Sequence, residues 1–157
     1  MTSARVHFFL ASGLSIIWLG CAPVRATPID DSGTRAFEPS IDLRWKTSTP
    51  TRSPADNVLV GVTTLRVRLN VAPWLHHAGR IYLSLPASAP GQLSADWPAH
   101  GQFLGGRVVA GGRALLYSGR ILEPVLEEEL QLQLTVRPNV IQRASTLNIS
   151  FDMEDER

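Results

Sequence analysis

Glu129-Leu130-Gln131-Leu132-Gln133-Leu134-Thr135-Val136-Arg137 alternates polar and apolar residues without a miss. A period of two belongs to a β-strand with one face buried and the other in water. The last segment repeats the pattern: Leu147, Ile149, Phe151 and Met153 share one side, and Asn148, Ser150, Asp152 and Glu154 share the other. Two half-buried strands are therefore expected. The Pro138-Asn139 turn signal between them suits an antiparallel or cross-sheet pairing.

Working outward, Ile41 to Lys46 alternates as well, and so does Val58 to Val71, although the apolar parity of the latter changes between Val62 and Leu65. A bulge or bend near Thr63-Thr64 would restore a single buried face. Arg80 to Leu85 reads as a strand closed by Pro86. Leu93 to Trp97, Gln102 to Val109 and Ala114 to Ile121 are shorter candidates separated by Pro98, Gly111-Gly112 and Pro124. No dozen-residue window has helical apolar spacing, although Glu123 to Glu129 has room for one turn. The 11 prolines and 12 glycines fall at about strand intervals. About eight short strands with turn chemistry between them predict an all-β chain folded as a β-sandwich. Thr47 to Asp56, rich in Ser, Thr and Pro, reads as a surface loop.

At the other end, Arg5 and His7 precede the apolar run from Phe8 to Leu19, and small residues flank the end of Val24-Arg25-Ala26. This is the pattern of a secretory signal peptide over residues 1–26, with the mature chain starting at Thr27. A membrane anchor needs roughly 20 apolar residues, and Ser12, Gly13 and Ser15 interrupt this run. Cleavage there removes Cys21, the only cysteine, and leaves packing rather than disulfides to hold the fold. An alternative reading keeps it: Leu19-Gly20-Cys21 has the form of a lipoprotein signal in which Cys21 is acylated, although Trp18 is bulkier than such signals usually carry.

The remaining 131 residues are one domain's worth. Two of the 15 Lys and Arg leave with the leader, so the mature chain carries 13 basic against 14 acidic residues. That balance, with no basic stripe, argues against nucleic-acid binding. Lys46 is the only lysine.

Catalytic and metal-binding patterns are sparse. His76-His77 lies in a connection between strands with no Cys, Asp or Glu nearby in sequence, and His100 is the only other histidine after Ala26; a solvated loop pair is expected rather than a metal site. No Gly-x-Ser-x-Gly turn positions a nucleophile. Gly105-Gly106 and Gly111-Gly112 precede strands, which suits hairpins rather than phosphate cradles. Glu127-Glu128-Glu129 and the acidic tail Asp152 to Glu156 lack the alternating oxygens and turn glycine of a calcium loop, and read as solvated strand ends. Trp45, Trp74 and Trp97 read as packing residues rather than a sugar platform. These readings predict no enzyme, no cofactor and no metal.

Phe37-Glu38-Pro39-Ser40-Ile41-Asp42-Leu43, just behind a signal peptide and opening a β-only chain, resembles the start of major subunits of alpha-class chaperone-usher fimbriae, the CS1-type pilins of the colonisation-factor fimbriae family. The likeness continues in order through Arg68 to Val71, Arg80 to Leu85, Gln92 to Trp97, Gly101 to Leu104 and Thr146 to Met153. It implies an immunoglobulin-like sandwich lacking one strand, which a periplasmic chaperone fills temporarily. In the fibre, built at an outer-membrane usher, a neighbouring subunit's N-terminal segment fills the gap. By that likeness residues 27–39 are an N-terminal extension and 40–157 the body. Ile29, Ala36 and Phe37 are donor residues and Pro39 the break. Ile41, Leu43 and Trp45 on the first strand, and Leu147, Ile149, Phe151 and Met153 on the last, flank the groove. The function implied is that of a fimbrial subunit at the cell surface, exported through the periplasm and engaged in adhesion to a host receptor. The alternative is a periplasmic or outer-membrane-anchored sandwich that binds a ligand. The donor segment departs from the family pattern: a donor should be apolar at every second residue, yet Ile29, Asp31, Gly33, Arg35, Phe37 and Pro28, Asp30, Ser32, Thr34, Ala36 both fail that test.

Overall fold

The computed structural model describes residues 26–37, 41–46, 58–87, 92–137 and 148–155. In chain order they form β1 (Ala26–Pro28), β2 (Arg35–Ala36), β3 (Arg44–Trp45), β4 (Leu59–Asn70), a 3-10 turn (Ala72–Trp74), β5 (Ala78–Ser84), β6 (Gln92–Trp97), β7 (Gly106–Val109), β8 (Arg113–Arg120), β9 (Val125–Arg137) and β10 (Ser150–Asp155). One antiparallel sheet has the order β1-β10-β5-β8, and the other has the order β2-β4-β9-β6-β7 with β3 also on β4. The chain is an all-β sandwich. Alternate residues of each strand turn inward and meet between the layers: Val67, Leu69, Leu130 and Leu132 come from one sheet, Ile81 and Phe151 from the other, and all are buried in a shared core.

The two most regular strands of the sequence lie in different sheets, so their relation is cross-sheet. β9 pairs with β4 over twelve positions, Leu59↔Val136 to Asn70↔Val125, and β10 pairs with β5. The β9–β4 ladder has no register shift, and the expected bulge at Thr63-Thr64 is absent. β4 keeps its phase instead: Val62 stays 53% exposed, while Gly61 and Thr63 occupy the inner face. Unbroken pairing on β9 outweighs burial of one valine, because a bulge would disrupt ladder bonds. Space is the second reason. A Cβ at Gly61 would lie 2.8 Å from Leu43 Cδ2 and 2.9 Å from Ile41 Cγ2, so the bare glycine is where the preceding segment packs.

The irregularity sits elsewhere, between Ile81/Tyr82 of β5 and the facing strand, where β8 runs from Leu115 to Tyr117 across one step. Leu116 and Tyr117 are consequently both buried although adjacent. Burial raises the Tyr117 pKa above its ordinary value, and the hydroxyl donates to Arg120 O at 2.9 Å.

Several shorter expectations change. Ile41 to Lys46 contributes only β3 as strand, Gln102 to Val109 only β7, and Glu123 to Glu129 enters β9 rather than a helical turn. Gly111-Gly112 joins β7 of one sheet to β8 of the other, so it is a corner between layers and not a hairpin. Gly111 has φ +79°, which suits glycine, and Leu85 clasps the corner through Gly111 N→Leu85 O at 3.0 Å and Leu85 N→Gly112 O at 3.1 Å. The Pro138-Asn139 turn lies outside the described residues.

Thr63 Oγ1 is buried without a hydrogen-bond partner. An orphaned buried hydroxyl costs about 1–3 kcal/mol. Thr63→Val, which keeps the shape, should therefore raise unfolding stability by about 1 kcal/mol, read from the shift in urea midpoint at unchanged slope.

Candidate functional site

Residues 26–37 do not form one strand, and how they divide defines the site. β1 runs antiparallel to β10, with Ala26 opposite Glu154, Thr27 opposite Met153 and Pro28 opposite Asp152. β2 runs antiparallel to β4, with Arg35 opposite Arg66 and Ala36 opposite Leu65. The crossing takes a single peptide unit: Ile29 N donates to Phe151 O at 2.9 Å in the first sheet, and Asp30 O accepts from Asn70 N at 3.0 Å in the second. Between β10 and β4, the N-terminal segment closes the seam of the sandwich.

Ile29 is the plug. Its side chain is 6% exposed and lies in the core cluster with Phe151 and Met153. Burying it contributes about 1.5–3 kcal/mol. The three residues of β1 are exposed. Bonded and non-bonded pairs alternate along an antiparallel ladder, so Pro28 turns its nitrogen to the free edge, where proline has no hydrogen to offer. A further strand gains little by adding to β1; it would have to replace it.

Beyond the crossing, the sequence Asp30-Asp31-Ser32-Gly33-Thr34 builds a turn. Ser32 N donates to Asp30 Oδ1 at 3.1 Å, and Thr34 N donates to Asp31 O at 2.7 Å. The Ser32 backbone N–H holds the Asp30 carboxyl below its ordinary value of 3.8, assisted by the Ser32 and Asn70 side chains. Thr34 Oγ1 then accepts from Arg68 N at 3.0 Å and donates to Arg68 O at 3.4 Å, standing in for a ladder residue on β4. Phe37 N donates to Thr64 O at 3.0 Å, and the Arg66 guanidinium lies 5.3 Å from the Phe37 ring centroid. The turn explains the missing alternation of this segment: a strand that changes sheets and bends has no single apolar parity.

Of the donor and groove residues named from the resemblance, the donor residue Ile29 and the groove residues Phe151 and Met153 converge in the core, and Ile41 and Ile149 pack half-buried against it. Leu43 and Trp45 are 41% and 50% exposed, and Ala36 and Phe37 lie exposed on or beside β2. Pro39, Leu147 and Cys21 fall outside the described residues. The sequence reading missed Pro28, Asp30, Thr34, Arg68 and Asn70 as partners in the closure. The Asp-Asp-Ser-Gly turn cluster was the available signal.

The acidic tail is not merely solvated. Asp152 Oδ2 accepts from Ser84 Oγ at 3.0 Å, and Glu154 Oε1 lies 2.6 Å from Arg113 Nη1, with the Arg113 guanidinium 4.5 Å from the Tyr82 ring centroid. Asp155 lies 3.5 Å from His77 Nδ1, a carboxylate that sequence separation had hidden from the histidine pair. Glu128 accepts from Gln102 N at 3.1 Å and fills the space a Cβ would need at Gly101, whose φ is +55°. Trp97 is buried with Nε1 donating to Leu104 O at 2.8 Å, and Trp74 packs half-buried, so the three tryptophans do not share one surface state. Among the described residues no group of three or more His, Cys, Asp or Glu is arranged to hold a metal, and no helix is long and apolar enough to cross a membrane.

The chain matches no family model, no curated protein and no solved structure.

Two outcomes are expected at the seam. Ile29→Ala should cost about 2 kcal/mol or more by deleting the buried side chain, measured by denaturant unfolding. The lowered Asp30 pKa means that its contribution to closure is present above pH 3.8 and is lost as the pH falls through the depressed value. Protease access to residues 26–37 should therefore rise in acid for wild type, and Asp30→Asn should remove that component of the pH dependence.

Proposed function

We propose that the chain is a non-catalytic structural subunit of a surface fimbria, exported through the periplasm and assembled by strand exchange at an immunoglobulin-like sandwich. The observation that carries this reading is the closure of the β10–β4 seam by a short N-terminal segment with one core plug, Ile29. A strand held so lightly can be exchanged for an identical one from a neighbour at little net cost. Removing it exposes the edge of β10 and the apolar side chains beneath, which is the surface a periplasmic chaperone would shield until an usher supplies the next subunit. The resemblance of Phe37 to Leu43 to the start of alpha-class pilins points the same way.

One observation favours a second reading, an exported sandwich that binds a ligand as a monomer: bonds from Ile29 and Asp30 already close the seam within one chain. Deletion of residues 27–37 separates the two. For a strand-exchanging subunit, the shortened protein should aggregate or bind chaperone when alone and recover cooperative folding when a peptide of residues 27–37 is added. A shortened protein that stays monomeric, with unchanged stability and no response to the peptide, would support the monomeric module. Ile149→Asp, which puts a charge against the core beside the same seam, should block incorporation into fibres while leaving export intact.

A further inference from the structure

The two halves of the closing segment are held very differently. Residues 26–29 meet β10 through a three-position ladder, one further bond from Ile29 N and one buried side chain, and their outer edge ends in Pro28. Residues 30–37 are fastened to β4 repeatedly: Asn70 N to Asp30 O, both Thr34 Oγ1 bonds to Arg68, Phe37 N to Thr64 O, and Arg66 against the Phe37 ring. At Gly33 the Arg68 stem occupies the space of the missing side chain, with Cδ 2.9 Å from where a Cβ would stand. The turn at Asp30–Thr34 opens the second half, and it is stitched internally by Ser32 N and Thr34 N.

From this asymmetry we infer that the exchanging element of the mature chain is residues 27–29 alone, that the chain bends away at Asp30, where the Asp30–Thr34 turn begins, rather than at the Glu38-Pro39-Ser40 stretch, and that the partner is a second copy of this chain. The inference rests on the strand-exchange reading and sharpens it. The acceptor surface is the edge of β10 at Phe151 and Met153 with the notch that Ile29 fills. It fits an extended segment, antiparallel to β10, that carries one branched aliphatic side chain. Residues 27–29 of the second copy present that chemistry, while its β2 stays on its own β4.

Crosslinking between copies tests the hinge. In the chain starting at Thr27, which has no cysteine of its own, one preparation carries Pro28→Cys and another Asp152→Cys; a second set carries Arg35→Cys and Arg66→Cys. Paired positions on adjacent antiparallel strands lie within disulfide reach. The corresponding double variants within one chain check that each disulfide forms and that the variants fold. Each mixture is warmed to open the seam, cooled, oxidised and examined for disulfide-linked dimers. Dimers are expected from the Pro28/Asp152 mixture and not from the Arg35/Arg66 mixture. Dimers from both mean that the whole segment leaves and the hinge lies beyond β2, which overturns this inference but not strand exchange. Dimers from neither overturn both, and dimers from Arg35/Arg66 alone overturn the inference.

Discussion

Consecutive residues, Ile29 through its N–H and Asp30 through its carbonyl, bond to different sheets, and the remaining architecture of this edge follows from that constraint. A sandwich buries its inner faces only where its seams are closed. On this side the seam runs between β10 and the long strand β4, neither of which bonds the other. A segment crossing between them must satisfy backbone groups in both sheets and place a side chain in the gap. Ile29 supplies the side chain, and the turn at Asp30–Thr34, with Ser32 N and Thr34 N paired inside it, carries the chain onto the other sheet.

The opposite side of the sandwich is closed by other means. The Gly111-Gly112 corner carries the chain directly from β7 to β8, and Leu104 N donates to Leu116 O at 2.7 Å, covering the edge of β8 at its irregular step. Trp97 ties its indole to the same stretch. That side is made of contiguous chain and buried aromatics. The side closed by residues 26–37 depends on a segment with one buried side chain in its first half, so the two seams should open at very different free energies. The proposed strand exchange belongs to the seam with the lower one.

Charge contributes less to this fold than its visibility suggests. Arg66–Glu129 at 4.0 Å and Arg68–Glu127 at 3.7 Å cross the outer face of β4 and β9 with more than half of most of these side chains in water. Such pairs are each worth about 0–1 kcal/mol. Arg113–Glu154 differs: Glu154 is only 13% exposed and the guanidinium also covers Tyr82, so this pair fixes the outer face beside β10 more firmly.

Alternation in Glu129–Arg137 and Leu147–Met153, and the absence of helical spacing, determined from sequence alone that the chain is all-β and which faces of β9 and β10 are buried. Period two is a local property, enforced residue by residue by the pleat. Pairing partners, the sheet to which each strand belongs and the phase of β4 were decided only in the tertiary structure. Val62 stays outside because an unbroken twelve-position ladder to β9 outweighs its burial, and nothing local to Thr63-Thr64 reports that ladder. Likewise Asp155 meets His77, and Thr34 meets Arg68, across separations that a sequence pattern does not encode. The N-terminal segment shows the limit most clearly. Its residues carry a turn signal and one isolated isoleucine, but that they close the seam follows from the gap that two other strands, far along the chain, leave between them.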